Sequence, residues 1–196
     1  MTDRHNHMDN MFLSRRTFTL GALACVGTTL AGCGNGIGSQ GAAMIDARVD
    51  AALAEMYSSY PNTRGLADKA NGMLIMPLVT DAGFGFGGSY GRGALRVGGI
   101  TVDYYSATQI SGGFQIGAQQ YAHVLFFMTE GALSDFRSSP GWSAGGDIEY
   151  VFSDKGDGLS ADTTTALAPV LAAVFGRAGL KAGATLQGTK YTRIIP

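Results

Sequence analysis

The chain has 196 residues, 45% of them hydrophobic and 30 of them glycine, and its formal net charge is −1 at pH 7. This length fits one domain with a core of its own. No run of Lys or Arg offers the positive surface that nucleic acids require, so we expect no nucleic-acid partner.

The first 33 residues have the pattern of a bacterial export signal. Arg15 and Arg16 precede a modest apolar segment, as in twin-arginine signals. The sequence LAGC at 30–33 resembles a lipobox, in which the cysteine is acylated and the chain is cut before it. A transmembrane helix is disfavoured, because residues 17–32 are fewer than the roughly 20 apolar residues that a span needs. We expect a signal peptide over 1–32 and a lipid anchor on Cys33.

This interpretation places the protein in the cell envelope, on a membrane through Cys33. The outer membrane is preferred over the inner, because Gly34 is not the Asp that favours inner-membrane retention. Cys25 would leave with the signal and Cys33 would be acylated, so no disulfide or cysteine metal site is expected. We predict no metal and no cofactor. The Asp/Gly-rich stretch 154–162 does not have the ligand spacing of an EF-hand and is interpreted as a loop.

After a flexible, Gly-rich tether over 33–42, the chain is predicted to be helical. Ile45, Val49, Leu53 and Met56 recur at spacings of three and four, which predicts an amphipathic helix over 43–60. Pro61 ends this helix, and a shorter one is expected over 63–70.

From residue 72 onward the pattern is that of β-strands. Residues 84–90 alternate aromatic side chains with glycine along one predicted strand, and residues 110–116 repeat the alternation. The stretch 121–128 is apolar on both faces, which predicts a central strand, and Thr129 can cap a short helix through Arg137. Further strands are predicted at 73–79, 142–152, 170–175, 180–187 and 190–195.

These elements predict an α+β fold: an N-terminal amphipathic helix, then a glycine-rich, curved, mainly antiparallel β-sheet or barrel-like domain over 43–196. Strands and helices do not alternate, which disfavours a parallel sheet. Glycine weakens strands, so its abundance predicts strong curvature and bulges. The alternative is a close approach of the backbone to a ligand.

Two catalytic motifs match by spacing alone. Residues 83–88 fit the dinucleotide pattern G-x-G-x-x-G, but SYGRG, which follows, cannot start the helix that would hold a pyrophosphate. Ser89 lies in a G-x-S-x-G pattern with Asp103 and His123 after it, but the predicted sheet lacks the strand-to-helix turn of a nucleophile elbow. His123 lies in the middle of a predicted strand and is interpreted as structural. A serine hydrolase using Ser89 remains the third hypothesis.

The same segment resembles the signature of the SYLF domain family. The similarity includes AGFGFGGSYGRGALRVGG at 82–99, DYYS at 103–106, GFQIGAQ at 113–119, FMT at 127–129 and FRSS at 136–139. With Gly141-Trp142 and the tail over 179–193, these blocks occur in family order across roughly residues 45–195.

The resemblance implies a non-enzymatic lipid-binding or scaffold domain. Eukaryotic members bind phosphoinositide membranes and, in fungi, actin filaments, whereas bacterial members are commonly exported proteins or lipoproteins. An exported bacterial protein would not meet actin. The family's lipid-binding elements are an N-terminal helix and nearby basic residues. The helix corresponds here to 43–60. If lipid is bound, we expect contacts from its face of Ile45, Val49, Leu53 and Met56 and from the 83–92 segment with Phe84 and Phe86, and we expect Arg92 and Arg96 to contact headgroups.

Two departures weaken the attraction to anionic lipid. The helix carries Asp46, Asp50 and Glu55 against Arg48, and Asp81 stands where many relatives have lysine. The apolar helix face can alternatively pack on the sheet.

The leading hypothesis, from the export signal and the family resemblance together, is an envelope lipoprotein that binds phospholipid. The competing hypothesis is a structural protein that binds an unknown envelope protein and no lipid beyond its own anchor.

Overall fold

The computed structural model describes residues 40–84, 86–112, 117–145, 148–150, 168–176 and 186–196. The chain divides into two units, Met1–Gly34 and Asn35–Pro196, and all described residues belong to the second. The predicted signal peptide, Cys33 and the tether up to residue 39 lie outside the described residues.

The α+β prediction is confirmed. Three helices are described: α1 (Gly41–Ser59), α2 (Thr63–Lys69) and α3 (Glu130–Ser138). α1 begins two residues earlier than predicted. α3 begins at the predicted cap, where the Thr129 hydroxyl accepts a hydrogen bond of 3.2 Å from the Ala132 backbone N–H.

The strands form one eight-stranded sheet in the order β5-β8-β3-β2-β1-β4-β7-β6. Neighbours pair antiparallel except β6 and β7, which are parallel. Their bounds are β1 Gly72–Phe84, β2 Phe86–Val97, β3 Ile100–Gly112, β4 Gly117–Phe127, β5 Trp142–Ser143, β6 Ile148–Tyr150, β7 Val170–Phe175 and β8 Lys190–Ile194.

The sheet is strongly curled, as a half-barrel. β8 and β4 have β3, β2 and β1 between them, so four strand spacings would hold them roughly 19 Å apart in a flat sheet. Yet Tyr191 of β8 and His123 of β4 share a hydrogen bond of 2.8 Å. Side chains on the concave, inner face therefore meet across the sheet.

A bulge in β1 contributes to this shape and explains two of the glycines. The register of β1 shifts against both neighbours between Ile75 and Val79. Opposite the bulge, a Cβ at Gly93 would overlap the carbonyl oxygen of Ile75, and one at Gly91 would lie 2.7 Å from the Leu78 carbonyl. The predicted role of glycine in bulges is confirmed at these two positions.

Each face of the sheet has its own core. On the outer, convex face α1 and α2 cover Ile75, Val124 and Phe126. On the inner face α3 covers Leu125 and Phe127, and Phe136 of α3 packs with Tyr105, 4.7 Å between ring centroids.

Two strand predictions are corrected. Residues 84–90 do not form one strand, because Phe84 ends β1 and Phe86 begins β2, and the two are cross-strand partners. Glycine alternation runs through this hairpin, so the turn leaves no separate signal. Residues 142–152 do not form one strand either: β5 and β6 lie at opposite edges of the sheet.

The remaining strand predictions match in position where the structure describes them. Residues 73–79, 121–128, 170–175 and 190–195 correspond to β1, β4, β7 and β8. The predicted strand 110–116 begins inside β3, and its residues 113–116 lie outside the described part. So do the predicted loop 154–162 and residues 180–185 of the predicted strand 180–187.

Candidate functional site

The predicted lipid-contact face of α1 is buried. Ile45, Val49, Leu53 and Met56 are all less than 9% exposed and pack in the outer-face core. The structure thus shows the packing alternative for this face, because these side chains cover the sheet in this conformation.

Acidic side chains hold α1 to the sheet. Asp46 accepts hydrogen bonds from the hydroxyls of Thr101, at 2.9 Å, and Tyr104, at 2.8 Å. Asp50 forms an ion pair of 2.7 Å with Arg96. Burial, followed by the hydrogen bond to Asp46, raises the pKa of Tyr104 to about 12. The acidic residues that weaken an electrostatic attraction to lipid therefore have a structural role.

Arg96, predicted as a headgroup contact, is engaged by this network. Its side chain is only 14% exposed, and its Nε donates to the Thr101 hydroxyl at 3.4 Å. Arg92 lies four residues earlier on β2 and is half-buried. The two arginines share the outer face, but Arg96 lies beneath α1 and Arg92 lies nearer the β1–β2 hairpin.

The outer face beyond α1 exposes two large apolar side chains. Tyr90 of β2 is 55% exposed and Ile110 of β3 is 91% exposed. Both side chains face outward. Side chains alternate between the two faces along a strand, and Tyr90 is four residues from the outward-facing Ala94. Ile110 is likewise six residues from the outward-facing Tyr104. Tyr90 pairs with Thr108 and Ile110 pairs with Gly88, so the exposed side chains are diagonal neighbours. We call these four residues the outer patch.

The charge around the outer patch has one sign. Among the described strand positions that face outward beyond α1, none carries a carboxylate, and two carry a cation. These positions are Thr80, Ala82, Gly88, Tyr90, Arg92, Ser106, Thr108, Ile110, Gln120, Lys190 and Thr192.

Phe84 and Phe86 belong to the same end of the sheet. They are the last cross-strand pair of the β1–β2 hairpin, two positions beyond Ala82 and Gly88. The backbone of these two predicted site residues therefore lies beside the outer patch, two positions from Gly88 along β2.

A groove separates α1 from the bulge in β1. It has a volume of about 200 Å³, its floor includes Leu78, Ala122 and Phe175, and Arg48 and Glu55 stand on its helical side. Gln120 lines this groove and also faces outward on the part of the sheet that α1 leaves uncovered.

The inner face holds the residues of the rejected catalytic triad, and it does not assemble them. His123 bonds to the Tyr191 hydroxyl, and Asp103 forms ion pairs with Arg137 and Arg193, at 3.5 and 3.4 Å. Ser89 is buried, and its hydroxyl has no hydrogen-bond partner among the described residues. Burial lowers the pKa of His123 to about 3, so the ring is neutral at physiological pH. The prediction of a structural histidine is confirmed.

Within the part of the chain that the structure describes, no three His, Cys, Asp or Glu side chains converge as metal ligands. No described helix is both long and apolar enough to cross a bilayer.

The exposure of Tyr90 and Ile110 is not predicted by the sequence. Each lies in a strand pattern in which every second residue is apolar, which does not tell an exposed face from a buried one. Exposure of Ile110 depends on the strand register, which places it opposite Gly88, a residue with no side chain to cover it. The sequence does not show this register.

Comparison with known proteins gives a partial match. No curated protein matches the chain. Residues 108–193 match the model of the Ysc84 family, described as Las17-binding protein actin regulator. This range runs from β3 to β8 and includes Ile110 but not Tyr90 or α1. Over residues 108–193 the chain is therefore similar to the Ysc84/SYLF family, whose domains generally bind and do not catalyse.

Proposed function

We propose that the protein is a non-enzymatic, lipid-anchored protein of the cell envelope whose domain binds phospholipid membranes. The observation that carries this proposal is the outer patch: an isoleucine and a tyrosine exposed side by side, with two cations and no carboxylate at the described outward-facing strand positions around them. Moving apolar side chains from water to the acyl boundary of a bilayer lowers the free energy, and nearby cations are attracted to anionic headgroups.

Two further observations support the proposal. The match over residues 108–193 concerns a family of lipid- and actin-binding domains. The export signal and lipobox pattern at 15–33 favour an acylated Cys33 and an envelope location, with the outer membrane preferred. An anchored domain would remain beside a bilayer, where even a weak second contact is effective because its local concentration is high.

Sedimentation with vesicles tests this proposal. Residues 35–196 form a unit of their own and lack Cys33, so any binding reports on the domain. We expect co-sedimentation with vesicles of phosphatidylglycerol and phosphatidylethanolamine, weaker at high salt because the cations are screened. Phosphatidylcholine vesicles, which are zwitterionic, serve as the charge control.

Failure to bind vesicles of either composition would overturn the phospholipid proposal. The competing hypothesis, a structural protein with an envelope-protein partner, predicts that result.

A further inference from the structure

The chain that precedes the domain enters it over β3. Asp46, in the second turn of α1, is bonded to Thr101 and Tyr104 of β3, and Asp50, one turn later, is paired with Arg96 of β2. The helix therefore crosses the outer face from β3 towards β2, and its first residue lies on the β3 side.

One side of α1 faces the outer patch. Asp46 and Asp50 occupy the side that contacts the β2–β3 turn, and Arg48 occupies the other side, where it faces Gln120 across the groove. Met44 precedes Arg48 by four residues and so lies on the same side of the helix. Met44 is 51% exposed, so the side of α1 that faces the outer patch also carries an exposed apolar side chain.

The length of the preceding chain allows the anchor and the outer patch to reach one membrane. Ile110 is six residues beyond Tyr104 on β3, which corresponds to about 20 Å. Cys33 is eight residues before Gly41, so the intervening chain spans at most about 28 Å.

We infer that the outer patch, bordered by Met44 and Arg92, docks on the same bilayer that holds the lipid of Cys33. This inference rests on the proposed function and assigns its contact surface. The surface is apolar at Tyr90 and Ile110, and the charged residues at the described outward-facing strand positions around it are the cations Arg92 and Lys190. A bilayer with anionic headgroups matches that chemistry. The opposite end of β3, near Ile100, points away from the membrane.

Ile110 and Ile100 provide a matched pair for the test. Both are exposed isoleucines of β3, at 91% and 70%, and their separation of ten positions corresponds to about 33 Å. We expect Ile110→Asp to weaken the vesicle binding of residues 35–196 at least about tenfold. The substitution removes an apolar side chain that would leave water for the acyl boundary, and it adds a negative charge that anionic headgroups repel. Ile100→Asp, with the same change of charge, should bind as the unsubstituted domain does.

Each outcome has one meaning. If the unsubstituted domain binds and both variants bind equally, the assigned surface is wrong while the proposed function stands. If the unsubstituted domain does not bind, the proposed function itself fails. Unchanged urea-unfolding midpoints would show that both variants fold.

Vesicle clustering tests whether the patch and the anchor share one bilayer. The lipidated chain, reconstituted in one vesicle population, should not aggregate added protein-free vesicles, because its patch is already occupied. Aggregation that Ile110→Asp abolishes would overturn docking on the anchoring bilayer and indicate a bridge to a second membrane.

Discussion

His123 shows how a single buried side chain links the half-barrel to pH. Its ring closes the concave face through the bond to Tyr191, and its Nδ1 has no hydrogen-bond partner among the described residues. Burial lowers its pKa to about 3, whereas an unfolded chain would have a histidine pKa of about 6.5. The unfolded state therefore binds a proton at mildly acidic pH and the folded state does not.

This difference predicts a pH dependence of stability. Above pH 6.5 the histidine contributes no pH dependence. Between pH 6.5 and 3 the free energy of unfolding should fall by up to about 1.4 kcal/mol per pH unit, or about 2 kcal/mol at pH 5. Urea unfolding of residues 35–196 at pH 7.5 and 5 measures the loss, and His123→Gln should reduce it by that amount. An equal loss in the variant would show that His123 is not the group responsible.

At this scale, local pattern predicts structural roles well and exposure poorly. His123 within an apolar stretch and Thr129 before a helix are recognisable because strand interiors and helix caps depend on adjacent residues. Whether Arg96 is available to a ligand depends on its ion pair with Asp50, which lies 46 positions earlier, in α1. Sequence alone could not show that this cation is already paired.

α1 illustrates the same limit for an element. The spacing of its apolar residues predicts the helix but not what its apolar face contacts, because a sheet and a bilayer select the same pattern. The structure places that face against the sheet and fixes the helix there by Asp46 and Asp50.

Two methionines of α1 separate a packed face from an exposed one. Met56 is fully buried and Met44 is 51% exposed. Met56→Ala should reduce the free energy of unfolding by about 2–5 kcal/mol, because it leaves a cavity in the outer-face core. Met44→Ala should change it by no more than about 0.5 kcal/mol. Urea unfolding of residues 35–196 measures both, and equal effects would contradict the packing of α1 described above.

At the scale of the domain over residues 35–196, the described strands form a curled sheet whose two faces are covered differently. The inner face is closed by aromatic packing, including Trp142 against Tyr191, 5.8 Å between ring centroids. The outer face is covered by α1 at the β2–β3 turn end and exposed at the β1–β2 hairpin end. At that exposed end, Tyr90 and Ile110 lie beside the cations Arg92 and Lys190.

The α+β class was predictable because a change of periodicity is a local signal, and it holds over the described part of the chain. The curl, the β1–β2 hairpin and the separation of β5 from β6 were not, because they depend on register and on pairing between distant segments. Phe84, Phe86 and Arg92, chosen from the sequence, lie near the outer patch, and as lipid contacts they stay predictions. The exposure of Tyr90 and Ile110 on the outer face depends on how the strands pair, which the sequence does not show.

Fluorescence from the two ends of β3 tests the central claim most directly. Both cysteines of the chain, Cys25 and Cys33, precede residue 35, so Ile110→Cys or Ile100→Cys gives residues 35–196 a single labelling site. With an environment-sensitive dye on residue 110, vesicles of phosphatidylglycerol and phosphatidylethanolamine should cause a blue shift and an increase in intensity. The dye on residue 100 should not respond. A response at residue 100 alone, or at neither position while the domain binds vesicles, would contradict the assignment of the outer patch as the membrane-binding surface.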